Sequence, residues 1–262
     1  MVSIDYVKKE TSRFKRTNTS TLYKDKTSVY KIIERYTWLY NEIINNILYN
    51  YSINQQVNPR IILPNELIID NNGTDIRGYK CNYVKGKDLE NLAKDLSIEE
   101  KIKLLNDLTS LLKEINSYLI VGDLNLGNCM YDKNLNGYLI DFDLSSKLDE
   151  EPTLMSYYNF TSDKKKDIRS NLSTDKLKMA IIAASVLYNI NFEDSFVSSK
   201  SYSAWDKYLQ YTNNTFFKDF FKANLHNIEK GKKVDDYLVL PQSKSFEKMI
   251  EEDKKIIRKL VK

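Results

Sequence analysis

Val121-Gly122-Asp123-Leu124-Asn125-Leu126-Gly127-Asn128, followed by Tyr138-Leu139-Ile140-Asp141-Phe142-Asp143, is the part of the chain on which its reading turns. Asp123 precedes Asn128 by five positions, and Asp141 follows Asn128 by thirteen. Two short apolar runs flank the turn Asn134-Leu135-Asn136-Gly137, so the stretch reads as a loop that enters a hairpin. Such a hairpin carries a carboxylate, an amide and a second carboxylate to the ends of two paired strands.

Upstream, residues 12–33 read as short strands broken by the polar turns Thr17–Thr21 and Lys24–Thr27, a β-meander. Residues 35–50 place Leu39, Ile43 and Ile47 on one face and predict a helix. Pro59 and Pro64 punctuate a loop. Residues 66–70 and 76–84 read as strands joined by a turn at Asn71-Asn72-Gly73, and Gly86 then breaks the chain. Beyond it the period changes. Ser97-Ile98-Glu99-Glu100 has the form of a capping box, followed by Ile98, Ile102, Leu105, Leu108, Leu112 and Ile115 at helical steps. A helix over 175–189 is apolar on most sides, which predicts burial in the middle of a helical layer. Residues 203–226 and 243–261 read as further helices. Strands first and helices after predict an α+β fold of two lobes: a β-rich one over 1–84 and a helical one over 85–262, hinged near 83–87.

Composition bounds the rest. Of 262 residues 42% are apolar and 29% charged, a globular balance. A net charge of +4, drawn from 40 basic and 36 acidic residues, points to no nucleic-acid partner. Cys81, Cys129 and a single His, His226, give no metal-ligand spacing and no disulfide framework, so a cytoplasmic location is expected. The segment MVSIDYVKKE has no apolar core, and no apolar run reaches membrane-spanning length; neither secretion nor membrane insertion is expected. Lys164–Lys166 and the basic tail read as solvated faces, and Phe216, Phe217, Phe220 and Phe221 as core packing at helical spacing.

The trio suits phosphoryl transfer. One carboxylate orients an attacking hydroxyl and accepts its proton, while an amide and a second carboxylate hold Mg²⁺ against phosphates. In spacing it resembles the catalytic loop and the Asp-Phe-Gly motif of the protein-kinase-like superfamily, which includes aminoglycoside and choline phosphotransferases. The resemblance implies ATP and Mg²⁺ (or Mn²⁺) as cofactors, Asp123 as the catalytic base, and Asn128 and Asp141 as metal ligands. It further implies that Lys31, in Val29-Tyr30-Lys31, binds phosphate and pairs with Glu42 on the following helix, Glu34 being the rival partner. Asn82, Tyr83 and Val84 then form the adenine-reading hinge, with Val29, Met130 and Ile140 lining the nucleotide. Asp175 falls near the start of the central helix.

The chain departs from that pattern at several points. Val121 and Gly122 replace His and Arg, and Asp143 replaces the Gly of Asp-Phe-Gly, either as a third metal-facing carboxylate or as a loop cap. Residues 17–21 lack the family's phosphate-loop glycines, and 147–172 has no Ala-Pro-Glu. What the resemblance implies is an ATP-dependent kinase acting on a hydroxyl, of the Ser/Thr protein-kinase kind. The alternatives are a small-molecule kinase or a pseudokinase that serves as a binding module.

Overall fold

The computed structural model describes residues 1–149 except 18 and 38, the backbone of 155–157 and 167–169, then 171–192, 212, 215–220, 224 and 236–260. It is a mixed α+β structure with a six-stranded sheet and several helices.

The sheet runs in the order β1 (Val2–Ser3), β5 (Glu66–Ile69), β6 (Ile76–Asn82), β4 (Ser28–Ile33), β3 (Ser20–Lys24), β2 (Ser12–Arg16). β1 lies parallel to β5, and every other pairing is antiparallel. Side chains alternate across the two faces, as the period of a strand requires. Tyr30, Ile32 and Ile68 face one side, where they bury Ile4 and Val7 of α1 (Ile4–Glu10). Ile33, Leu67 and Tyr79 face the other and pack on Leu39 and on Ile43 and Ile47 of α2 (Tyr40–Ile53). β1 and α1 add an edge strand and a cover that the sequence reading does not contain. Gly78 of β6 lies so close to β4 that a Cβ there would collide with the Lys31 carbonyl, which only glycine tolerates.

The largest apolar cluster joins the helices of the second half. α3 (Ile98–Ile115) starts at the capping box foreseen, with the Ser97 side chain accepting from Glu100 N and the Glu100 side chain from Ser97 N. Its inward stripe packs on α4 (Leu172–Tyr188), which is buried from Ser173 to its end. α5 (Lys244–Leu260) closes the cluster through Phe246, Ile250 and Ile257. Phe216, Phe217 and Phe220 join it from a helical turn at 215–220, as their spacing predicts. Apart from Thr212 and Asn224, the rest of the helix expected over 203–226, with His226, lies outside the described residues, as do Lys164–Lys166 and most of 147–172.

Three expected boundaries move. The helix expected over 35–50 runs from Tyr40 to Ile53, the strand expected to reach 84 stops at Asn82, and the helix expected from 175 starts at Leu172. In the last case Asn171 supplies the cap, its side chain accepting from Ser173 N and Thr174 N. No helix among the described residues is long and apolar enough to cross a membrane.

Two small sheets position the site. β7 (Lys87–Asp88), β9 (Cys129–Tyr131) and β10 (Gly137–Leu139) form one; β8 (Leu119–Ile120) and β11 (Ser146–Lys147) form the other. Loop 121–128 and loop 140–145 each start in one sheet and end in the other, so both are fixed at both ends.

Candidate functional site

The β9–β10 register pairs Cys129 with Leu139, and one step on Ile140 N donates to Asn128 O at 3.0 Å. Asn128 and Asp141 therefore sit at the same end of one hairpin. The Asn128 side chain donates through Nδ2 to the Asp123 carbonyl at 2.8 Å, which ties in the third member. Asn125 works from inside the loop: its Oδ1 accepts from Asn128 N and its Nδ2 donates to the Asp123 carbonyl, both at 3.1 Å.

The turn before Asp123 is tight. Asp123 N donates to Val121 O at 2.8 Å, and Gly122 between them has φ +73°, a γ-turn that favours glycine. Helix α4 grips this turn from both sides. The buried Asp175 carboxylate accepts from Val121 N at 2.7 Å, from Gly122 N at 3.1 Å and from Asn116 Nδ2 at 3.0 Å. One turn along the helix, the buried Lys178 ammonium donates to the Gly122 carbonyl. Burial pushes the Asp175 carboxyl up to about 6, against the pull of those hydrogen bonds. Burial raises Asp123 too, opposed by the charge of Lys178 and reinforced by that of Asp141.

Lys31 arrives from the middle of the large sheet. Its side chain is buried, and its Nζ lies 2.5 Å from Asp141 Oδ1 and 3.0 Å from Asp143 Oδ2. Burial alone would lower the lysine; Asp141 and Asp143 together hold it above its ordinary value. The two carboxyls diverge. Asp143 is pushed up to about 7 by burial and by Asp141. Asp141 is raised by burial but brought below the usual carboxylate range by Lys31, by a hydrogen bond with Asp143 and, further off, by the charge of Lys15. Asp141 has φ +66°, a left-handed backbone that a non-glycine residue adopts at a cost of about 1–3 kcal/mol.

The ion pair expected between Lys31 and Glu42 is not formed. Glu42 is exposed in the first turn of α2, and the partners of Lys31 are Asp141 and Asp143. The rival Glu34 accepts from Thr21 Oγ1 at 2.8 Å. What α2 contributes comes one and two turns beyond Glu42: Asn46 donates to the Asp143 carbonyl at 3.2 Å and Asn50 to the Phe142 carbonyl at 2.7 Å. The signal for them is two amides four residues apart among the apolar positions Ile43 and Ile47. Asp143, foreseen as a metal-facing carboxylate or a loop cap, is here a buried partner of Lys31.

The expected nucleotide-lining residues divide. Asn82, Tyr83 and Val84 line a cavity of about 450 Å³ with Pro59, Ile62, Lys85, Asp132, Lys133 and Tyr138. Val29, Met130 and Ile140, half-buried, are not part of its wall, and neither are Lys31, Asp123, Asn128 and Asp141. Tyr83 N already donates to Thr27 O at 2.8 Å, so that N–H, expected to face a nucleotide, is engaged within the chain.

In donor chemistry the Asp141 carboxylate and the Asn128 amide oxygen suit a hard cation such as Mg²⁺. Asn128 directs its Nδ2 to Asp123, and its Oδ1 has no partner among the described residues. No group of three or more His, Cys, Asp or Glu residues with metal-site geometry exists among the described residues, so such an ion would need oxygens from a ligand or water to complete its shell. Comparison with family models finds no match to this chain, and comparison with curated proteins finds none either.

Proposed function

We propose that this chain is an atypical, two-lobed protein-kinase-like enzyme that transfers the γ-phosphoryl group of ATP to a hydroxyl, on a protein in the first instance. The observation that carries the reading is the meeting of Lys31, Asp123, Asn128 and Asp141 around one pair of loops, with Lys31 and Asp141 in contact across 110 positions of sequence. Structural ion pairs bury lysines too, but they do not need an adjacent amide with an open oxygen or a carboxylate on a glycine-hinged turn.

Mg-ATP, when bound, supplies the phosphoryl group and the metal charge that offsets its oxygens. The chain's residues then have separable tasks. Asp141 and Asn128 Oδ1 are the oxygens that would hold the ion. Lys31 keeps Asp141 ionised. Asp123, half-buried and set on its turn by Asp175 and Lys178, orients the acceptor hydroxyl and takes its proton. The lobe boundary near 84 and a cytoplasmic setting belong to the same proposal. The free cysteines Cys81 and Cys129 agree with the latter.

One observation favours a second reading. The ammonium of Lys31 is already held by two carboxylates, as in a resting or non-catalytic nucleotide-binding module. Incubation with γ-labelled ATP and Mg²⁺, alone and with a lysate, separates the two. Label on protein or on a small molecule supports transfer and names the acceptor class. Metal-dependent ATP binding without transfer to any acceptor favours the binding module, and no ATP binding refutes both.

A further inference from the structure

In the segment expected to cradle phosphate, the N–H groups of Thr17, Thr19 and Ser20 are already engaged. Thr17 N donates to Ser20 O, and the N–H groups of Thr19 and Ser20 both donate to Thr17 Oγ1. These donors are spent within the turn. Lys31 is committed to Asp141 and Asp143, and Asp123 adds a third carboxylate. A polyanion entering this site needs a cation from elsewhere.

The strand register supplies one. Leu22 of β3 pairs with Lys31 of β4, and Lys15 of β2 pairs with Leu22. Directly paired residues on neighbouring strands point to the same face, so Lys15, Leu22 and Lys31 form a row on the face that meets Asp141. Two strand spacings, about 10 Å, separate its ends. A bulge produces this alignment. From Arg13 opposite Tyr23, an unbroken ladder would set Phe14 opposite Leu22 and Lys15 opposite Thr21, on the α1 face. The register shift between Arg13 and Lys15 puts Lys15 opposite Leu22 instead. Arg13 and Arg16, opposite Tyr23 and Thr21, belong to the other face. Lys15 is exposed, and its charge acts on the Asp141 carboxylate.

We infer that Lys15 is a phosphate-binding residue, re-aimed by the β2 bulge to grip the phosphate chain of the nucleotide from the side where Thr17, Thr19 and Ser20 of the glycine-free turn already spend their backbone donors. This rests on the nucleotide reading above and adds to it a residue that the kinase-like pattern does not mark. The test is calorimetric titration of the full chain with Mg-ATP and, separately, with adenosine. Lys15→Ala should raise the Kd for Mg-ATP about tenfold, leave adenosine binding within twofold, and be rescued by Lys15→Arg. Arg13→Ala, on the opposite face, should change neither. Thermal melts report whether each variant is folded, which an exposed edge position favours. Equal loss for ATP and adenosine, or an effect of Arg13→Ala matching that of Lys15→Ala, would overturn the assignment. If wild type binds Mg-ATP and Lys15→Ala binds it as well, the inference alone falls. If wild type binds no Mg-ATP, the nucleotide reading falls and takes this one with it.

Discussion

Replacing Lys31 by Met removes one cation from between two carboxylates in a buried place. The Lys31 ammonium is 2.5 Å from Asp141 and 3.0 Å from Asp143, and the residue is only 6% exposed. Removing one partner of a buried ion pair costs about 3–5 kcal/mol, because the remaining charge stays desolvated. Here two charges remain, and they repel, so one carboxyl must take up a proton. That makes the cost depend on pH. In the wild type, Asp143 is held near 7, above its unfolded value of about 4, so its ionisation works against folding. The contribution of this group to wild-type stability therefore rises as pH falls through about 7 toward 4. Without Lys31 the proton is held more tightly, and the rise begins at higher pH. One pH unit of differential protonation is worth about 1.4 kcal/mol. The penalty of Lys31→Met should accordingly be about 3–5 kcal/mol at pH 8 and smaller by roughly 1–2 kcal/mol at pH 6. Urea unfolding followed by circular dichroism at both pH values measures it. Adding Asp143→Asn to Lys31→Met should recover part of the loss at pH 8. Equal penalties at the two pH values, or a variant as stable as wild type at pH 8, would refute the reasoning. Either result would mean that the cluster is not the buried, charge-coupled unit described.

Asp175→Ala leaves three buried donors without their acceptor, at about 1–3 kcal/mol each, so the urea midpoint should fall by the equivalent of at least about 3 kcal/mol; an unchanged midpoint would remove Asp175 from the support of the loop. On the proposed kinase-like reading, Asp123→Asn should lower kcat for phosphotransfer by about 10²–10⁴-fold and change the Kd of Mg-ATP by less than about tenfold, measured by initial rates and calorimetry. Gly78→Ala should destabilise by about 2 kcal/mol or more, because its methyl group collides with the Lys31 carbonyl; a melt that matches wild type would contradict the close approach of β4 and β6. Asn50→Ala removes the amide that holds the Phe142 carbonyl and should cost about 1–2 kcal/mol in urea unfolding, while Glu42→Ala, at an exposed position, should stay within about 0.5 kcal/mol.

Much of this structure is local, and what is local was legible. The capping box at Ser97, the apolar steps of α3, the all-round apolarity of α4 and the turns of the meander each depend on residues within a few positions of one another. Backbone geometry translates such spacings directly into helix and strand. The nearness of Asn128 to Asp141 was legible for the same reason: a single hairpin joins them. The partners of Lys31 were not. Glu42 and Asn46 lie on the same side of one helix, and periodicity does not say which turn reaches the loop. Nor does spacing reveal that Asp175 and Lys178 hold a turn more than fifty residues earlier in the chain. Those pairings are decided by which buried charges and donors can satisfy each other once the layers close, a balance of desolvation against contact that has no sequence period. The bulge that turns Lys15 toward Asp141 is the extreme case. One residue of register exchanges the two faces of a strand, and only pairing with β3 determines on which face Lys15 falls.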